Sequence, residues 1–437
     1  MSEQGQPEVG AWGYLRLVLL GAVVGIPAAL LAVAFLVFVH DLEHWLWHDL
    51  PHRLGASSPP WYLVIGLPVT GACVVVIARR LLPGDGGHSP IHGFAGKPPL
   101  LSYAPGIALA AIGTLSFGAV LGPEGPLIAL GAVVGILITR IARLGAKESG
   151  VLGNAGSFAA ISALFGGPIV GGVLMMEGAI GFGASTISIL LPGFVAAAVG
   201  YFIFVGFRNF GGLETQAIAF PDLPEYSGAH PSGLALAIAV GVLAALVLVV
   251  VRRLALSVSD GERRIGMPLL LIVGGLTVGL LAQTADWLGA DAENVLFSGQ
   301  AGTQAVVTED STKVVLILLV AKALAYAICL GCGFRGGPVF PAIFLGAALA
   351  TFPVIWFDVS PTLAVAVGAA AGMAAVTRML LTPILFAALL VGPAGVDAVP
   401  AAVVAAATAW LVIAALERRR KALAEDSGRD AVVAPAQ

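Results

Sequence analysis

Between Lys97 and Arg140 the chain carries one charged side chain, Glu124. Uncharged runs recur along its whole length, among them 17–39, 54–78, 231–251, 265–285 and 398–416. Several reach the ~20 apolar residues that a helix needs to cross a bilayer. Lipid offers no hydrogen-bond partners, so such runs must satisfy their backbone groups internally, as helices. The expected fold class is therefore an all-α polytopic membrane protein. Composition agrees, with 58% hydrophobic and 11% charged residues and a mean hydropathy of +0.97, outside the range of water-soluble globules. Three cysteines make no disulfide framework. A net charge of −3 without a basic patch gives nucleic acid no footing. The run from Leu17 is long enough to span and lacks the small-residue cleavage site of a signal peptide.

Other uncharged runs, such as 125–139, 314–321, 323–334 and 336–357, are short or carry Gly and Pro inside. Interrupted segments in both halves predict discontinuous helices around a midplane site. The halves also repeat. Leu130-Gly131-Ala132 returns as Leu345-Gly346-Ala347, Gly122 as Gly337, Pro126 as Pro341, and Pro168-Ile169 as Pro383-Ile384, all at one offset of 215 residues. A constant offset over separated blocks points to internal duplication, which by itself leaves open whether the repeats run parallel or inverted. The division expected is a cytoplasmic N-terminus at 1–14, a first transmembrane repeat at 15–207, a linker at 208–230, a second repeat at 231–416 and a short cytoplasmic tail at 417–437. No soluble regulatory domain is read in that tail. Arg79-Arg80, Arg252-Arg253, Arg263-Arg264 and Arg418-Arg419-Arg420-Lys421 mark the cytoplasmic side, and the mostly acidic segments 209–229 and 286–310 the outer one.

A carboxylate at membrane depth costs roughly 2.5–3.5 kcal/mol even on lenient insertion scales, and by default marks function. Glu124 sits in Gly122-Pro-Glu-Gly-Pro126, where Gly and Pro break a helix. The structural alternative is a glutamate that caps a helix start. An anion crossing a membrane needs donors that replace water without trapping it. Backbone amides at helix N-termini supply them, and glycine lets the backbone come close. Three stretches qualify: Gly84-Asp-Gly-Gly-His-Ser-Pro90, Gly122–Pro126 and Gly336-Gly-Pro-Val-Phe-Pro341.

These motifs, in this order, resemble the CLC family of chloride channels and proton-coupled chloride transporters. Gly122–Pro126 is similar to that family's G-[K/R]-E-G-P gating motif, with Pro123 in place of the basic residue. Gly153–Glu177 resembles its next helix pair, Gly336–Pro341 its G-G-x-F-x-P motif, and Arg378 with Leu381-Thr382-Pro383-Ile384 its late R-x-x-L-T motif. The resemblance covers roughly residues 15–416. It implies two inverted repeats whose discontinuous helices meet at a midplane anion site, a homodimer in the cell membrane with one anion pathway per subunit, and chloride or a similar small anion as cargo. It implies no cofactor and no metal. Glu124 would be the gate, its carboxylate competing with the anion for helix N-terminal amides. Candidate anion contacts are Gly87, His88, Ser89, Gly122, Gly125, Gly336, Gly337, Val339 and Phe340.

The chain departs from the pattern in four places. Gly87 stands where the family has a serine, so that Ser89 or His88 would have to substitute. Pro338 stands where an amide is common, and proline has no N–H. The last span, Ala398–Leu416, has no tyrosine to serve as an inner gate. Glu177 matches the first of two adjacent acids, but Gly178 replaces the second, the inner proton acceptor of many exchangers. This favours channel-like conduction, with a proton-coupled antiporter as the alternative and Glu177 as the candidate relay, unless it is simply a helix-end charge.

Two further patterns stand apart. His40, His44, His48 and His52 recur every four residues, a spacing that could hold zinc on one helix face. A membrane-embedded metalloenzyme on the His40/His44/His48 stripe is the reading from another class, although neither H-E-x-x-H nor G-x-S-x-G occurs. The favoured reading of the stripe is an outer interfacial extension with Trp45 and Trp47 in the headgroup zone. Cys329 and Cys332 have redox spacing but read as small buried hydrophobes.

Overall fold

The computed structural model describes residues 11–93, 98–180, 186–211, 220, 223–228 and 230–433. The start of the expected N-terminal segment, part of the 208–230 linker and residues 434–437 lie outside the described residues. Among the described residues there is no strand, and nine helices are long and apolar enough to cross a membrane. Side chains such as Leu19, Phe202 and Leu411 are more than half exposed on these helices. That outward apolar face is what lipid, rather than water, accommodates. The chain is a multi-pass integral membrane protein.

The first half supplies α1 (Ala11–His44), α2 (Trp61–Leu81), α3 (Ala104–Leu115), α4 (Glu124–Ile141), α5 (Ala146–Leu164), α6 (Pro168–Met175) and α7 (Thr186–Gly211). The second supplies α8 (Pro231–Ser259), α9 (Met267–Trp287), α10 (Thr312–Cys332), α11 (Val339–Phe357), α12 (Pro361–Thr377), α13 (Leu381–Val391) and α14 (Val399–Val433). The two series run in the same order, so the duplication read from short motifs extends to whole helices. α12 is apolar all round and buried from Thr362 to Ala375, as an all-apolar helix in a bundle centre must be. Small residues make this packing possible. A Cβ on Gly131 would come within 2.4 Å of Gly156 O, and one on Gly346 within 2.1 Å of Gly368 O, so each repeat packs its corresponding helix pair through glycines.

Ion pairs join the basic clusters. Arg79 meets Glu262 at 3.6 Å, and Arg252 meets Glu417 at 3.4 Å. Arg378 also pairs with Glu417. Segments read as cytoplasmic from charge alone thus share one face. The final helix does not stop at Leu416 but continues to Val433. The outer extension needs one correction. Beyond His44 the chain continues through a π-helical turn, Trp45–Asp49, and a last helical turn, Leu50–Arg53. Pro51 is tolerated at the start of that last turn. The extra residue in the π-turn rotates Trp47 inward. It is fully buried rather than in the headgroup zone, its Nε1 donating to Ser116 O at 3.1 Å and its ring meeting Phe297 edge-on.

Candidate functional site

Two helix starts face each other at the centre of the protein. Gly122 N donates to Gly337 O at 2.8 Å, and Gly337 N donates back to Gly122 O at 2.5 Å. This isolated antiparallel bridge joins residues that occupy equivalent places in the two repeats. Equivalent residues that pair antiparallel are related by a local two-fold axis, the relation that the inverted repeats of the expected fold require. Glycine at both positions leaves room for the Glu124 carboxylate. A Cβ on Gly122 would lie 2.1 Å from Glu124 Oε2, and one on Gly337 only 1.8 Å from it. At Gly125 a Cβ would meet Gly336 O at 2.9 Å.

Glu124 is wholly buried at the first position of α4. Its Oε1 accepts from Val339 N at 3.0 Å and Phe340 N at 3.1 Å, the free amides at the start of α11. Its Oε2 is buried without a hydrogen-bond partner. An orphaned oxygen of this kind demands a reason. The carboxylate therefore caps a helix, as the structural alternative requires, but it caps the partner helix across the repeat interface. It occupies amides that a small anion would use. Pro338 contributes its carbonyl instead of an amide, and Tyr326 of α10 donates to that oxygen at 2.9 Å. Phe340 stacks on Phe165 with ring centres 5.6 Å apart, and Phe386 meets both rings edge-on. Val120 N donates to Cys329 Sγ at 3.2 Å. Cys329 and Cys332 are buried free thiols, so α10 braces both loops of the site.

The first candidate amide stretch is tied to the third by charge. Arg335, next to Gly336, donates from Nε to Asp85 O at 3.0 Å and also pairs with the Asp85 carboxylate. Arg79 holds the same carboxylate at 2.8 Å. A turn closes from Gly87 N to Gly84 O at 2.9 Å. Ser89 immediately precedes a short 3-10 turn, and exposed His88 places Nε2 at 3.2 Å from Gly93 O. Among the described residues no hydrogen bond joins Gly87, His88 or Ser89 to Glu124. The second and third stretches thus touch directly, and the first is held beside them through Asp85.

Glu177 repeats the device of Glu124. From a π-helical turn, Met176–Ile180, its Oε1 accepts from Leu380 N and Leu381 N at 3.2 and 3.0 Å. Its Oε2 accepts from Thr382 N and Oγ1 at 2.7 and 2.6 Å. Again a first-repeat carboxylate caps a second-repeat helix, here α13. Gly178 follows in the same turn.

The histidine stripe is drawn into other contacts. His44 and His48 stack at 4.9 Å, His44 Nδ1 lies 3.6 Å from Asp49, and His48 Nε2 lies 3.7 Å from Glu293. Among the described residues no group of three or more side chains is placed to hold a metal ion. One charge escaped the sequence reading. Lys322 interrupts an uncharged run just as Glu124 does, and is likewise wholly buried. The same signal, a lone charge at membrane depth, would have found it.

The model of the voltage-gated chloride channel family matches residues 71–413. The chain belongs to that family, the CLC proteins. It is 30% identical over 355 residues to a protein of Escherichia coli named "Putative ion-transport protein YfeO", covering 77% of this chain and 78% of that one. A Salmonella choleraesuis protein of the same name is 30% identical over 356 residues, covering 77% and 79%. The fold is similar to that of a slow cyanobacterial Cl-/H+ antiporter, with a TM-score of 0.74, 19% identity, and 92% and 95% of the two chains covered. It is also similar to a CLC-type fluoride/proton antiporter, with a TM-score of 0.70, 22% identity, and 92% and 96% covered. At these identities the solved structures establish the fold. Family membership places the chain among channels and transporters rather than enzymes.

Proposed function

We propose that this protein carries chloride or a similar small anion across the membrane, with Glu124 as the gate. The observation that carries the reading is the pair of α11 amides, Val339 N and Phe340 N, held by Oε1 of a carboxylate whose other oxygen has no partner. A halide offers those amides the same negative charge without a tether, so anion and carboxylate compete. Protonation removes the charge that holds Glu124 there and frees the amides. Gly122, Gly125, Gly336 and Gly337 let the backbone close around the ion, and Gly87, His88 and Ser89 form the inner approach.

Conduction is channel-like in this reading, because Gly178 supplies no inner carboxylate and Glu177 is engaged by four donors of α13. A second reading, proton-coupled exchange, draws support from the antiporter titles of the similar folds. A homodimer with one pathway per subunit is the assembly proposed. Protein reconstituted in liposomes with a chloride gradient distinguishes the readings. Chloride efflux that needs only a potassium ionophore, with no linked proton movement, supports the channel. Uphill proton movement driven by chloride establishes the exchanger, and no anion flux at all overturns both.

A further inference from the structure

Among the described residues three charged side chains are buried, Glu124, Arg335 and Lys322; Glu124 is the gate, Arg335 is paired with Asp85, and Lys322 is left unexplained. It stands in the middle of α10, fully buried, and no ion pair among the described residues involves it. Its Nζ donates to the carbonyls of Asn294 at 2.9 Å, Val295 at 3.2 Å and Leu296 at 2.8 Å, and lies 4.5 Å from the centre of the Phe344 ring. Three acceptors match the three N–H bonds of an ammonium, one more than a neutral amine has. Carbonyl oxygens and an aromatic face hold the cation without cancelling its charge. A buried charge with no counter-ion is costly, and its field reaches outward because the surroundings screen it poorly.

That field has a destination. The segment that wraps the ammonium forms one wall of a cavity of about 510 Å³, lined here by Asn294, Leu296 and Gly299 and reaching Pro123, the neighbour of the gate. A Cβ on Gly299 would come within 2.7 Å of Lys322 Cε, so the side chain lies directly behind this wall. The segment falls within 286–310, on the side read as external. Other charged and titratable groups also face the cavity. His40 and Glu43 of α1 and Glu293 line it. Behind them, Glu293 is approached by His48 and repelled by Asp291, while His44 turns to Asp49.

We propose that this cavity is an outer antechamber that binds a small monovalent anion ahead of the gate, attracted by Lys322 from behind the wall and opposed by Glu43 and Glu293. The proposal rests on the anion-pathway reading above. Contact with an ammonium would trap the ion. A cation set one layer of backbone away concentrates anions while leaving them free to move on. The carboxylates give the chamber a variable sign. Protonated, they leave the field of Lys322 unopposed, and ionised, they cancel it.

The test measures initial chloride flux in liposomes as external and internal chloride are varied separately. Lys322→Met should raise the half-saturating external chloride about fivefold or more, with the maximal rate and the internal half-saturation held within about twofold, and Lys322→Arg should restore most of the loss. Lys322→Met leaves three carbonyls without their donor, so a second variant guards against misfolding. Glu43→Gln combined with Glu293→Gln should lower the external half-saturation and flatten its rise above neutral pH. Opposite shifts from the two variants are what a merely structural role would not produce. External half-saturation unmoved in a folded Lys322→Met, or unmoved or raised in the double variant, overturns the antechamber. Wild-type protein that passes no anion overturns the gating reading instead.

Discussion

The carboxylate of Glu124 accepts the amide of Val339, the residue 215 positions later that begins the equivalent helix of the second repeat. A duplicated scaffold thus brings two equal helix starts together, and only one of them carries a side chain that can plug the other. Symmetry builds the amide site, and on the proposed gating reading the one carboxylate divides it into an outer lock and an inner path. The lock is tethered, so its local concentration is high, but it holds only two of the available donors. The proposed gating then predicts that a free anion of comparable charge displaces it, and that a proton does the same.

Neutralising the lock should therefore abolish gating rather than transport. Glu124→Gln and Glu124→Ala are expected to leave or raise anion flux and to remove the dependence of Glu124 gating on pH. Flux assays across a pH series check this. A Glu124→Ala protein that behaves like wild type at every pH would remove Glu124 from the gate.

Gly337→Ala makes the same point without touching the acid. Its Cβ would stand 1.8 Å from Glu124 Oε2 and 3.0 Å from Glu124 Cβ, so the carboxylate has to leave its amides. The variant should approach the pH-independent flux of Glu124→Gln, and lose about 1–3 kcal/mol of stability from overpacking. Thermal unfolding in detergent, read beside the flux assay, separates the two effects. Wild-type gating in a folded Gly337→Ala protein would show that the carboxylate does not lodge there during transport.

Much of this centre was legible in the sequence. The isolated charge of Glu124 and the constant offset between Gly122 and Gly337 are local signals, because lipid punishes stray charges and duplication preserves spacing. The Gly122–Gly337 bridge gives the two repeats a local two-fold relation, which no one-dimensional offset reports. Trp47 went astray because a single π-turn changes which face a residue presents. The sequence leaves Glu177 open between a proton relay and a helix-end charge, because its hydrogen-bond partners, Leu380 to Thr382, lie more than 200 residues away. Lys322 carried the same signal as Glu124 but lacked the flanking glycines and prolines that draw the eye to a broken helix.

Glu177 yields a prediction of its own. Its two oxygens meet three amides and a hydroxyl at the start of α13. Glu177→Ala leaves those donors unsatisfied and should cost about 2–3 kcal/mol, the scale of hydrogen bonds to a charged group, with flux falling in step with thermal stability. Glu177→Gln keeps an acceptor oxygen and should fall between the two. Loss of proton-linked transport in a Glu177→Gln protein of undiminished stability would instead identify a proton relay.

The outer cavity gives stability a dependence on pH. Burial, reinforced by the nearby charge of Asp291, raises the Glu293 carboxyl from its ordinary 4.5 to about 7. A carboxyl raised on folding holds its proton longer in the folded state than in the unfolded one. Its contribution therefore favours the folded state most at or below about pH 4.5 and is lost as pH rises towards about 7, where the buried form must also ionise. The thermal midpoint should accordingly decline across that window, and Glu293→Gln should flatten the decline while leaving the midpoint near neutral pH equal to or above wild type. Glu293 lies next to Asn294, whose carbonyl accepts from Lys322, so the variant also reads whether that cation's shell survives a change on the cavity side. A midpoint that rises with pH over the same window, and rises equally in Glu293→Gln, would mean that the carboxyl is ionised and solvated rather than enclosed.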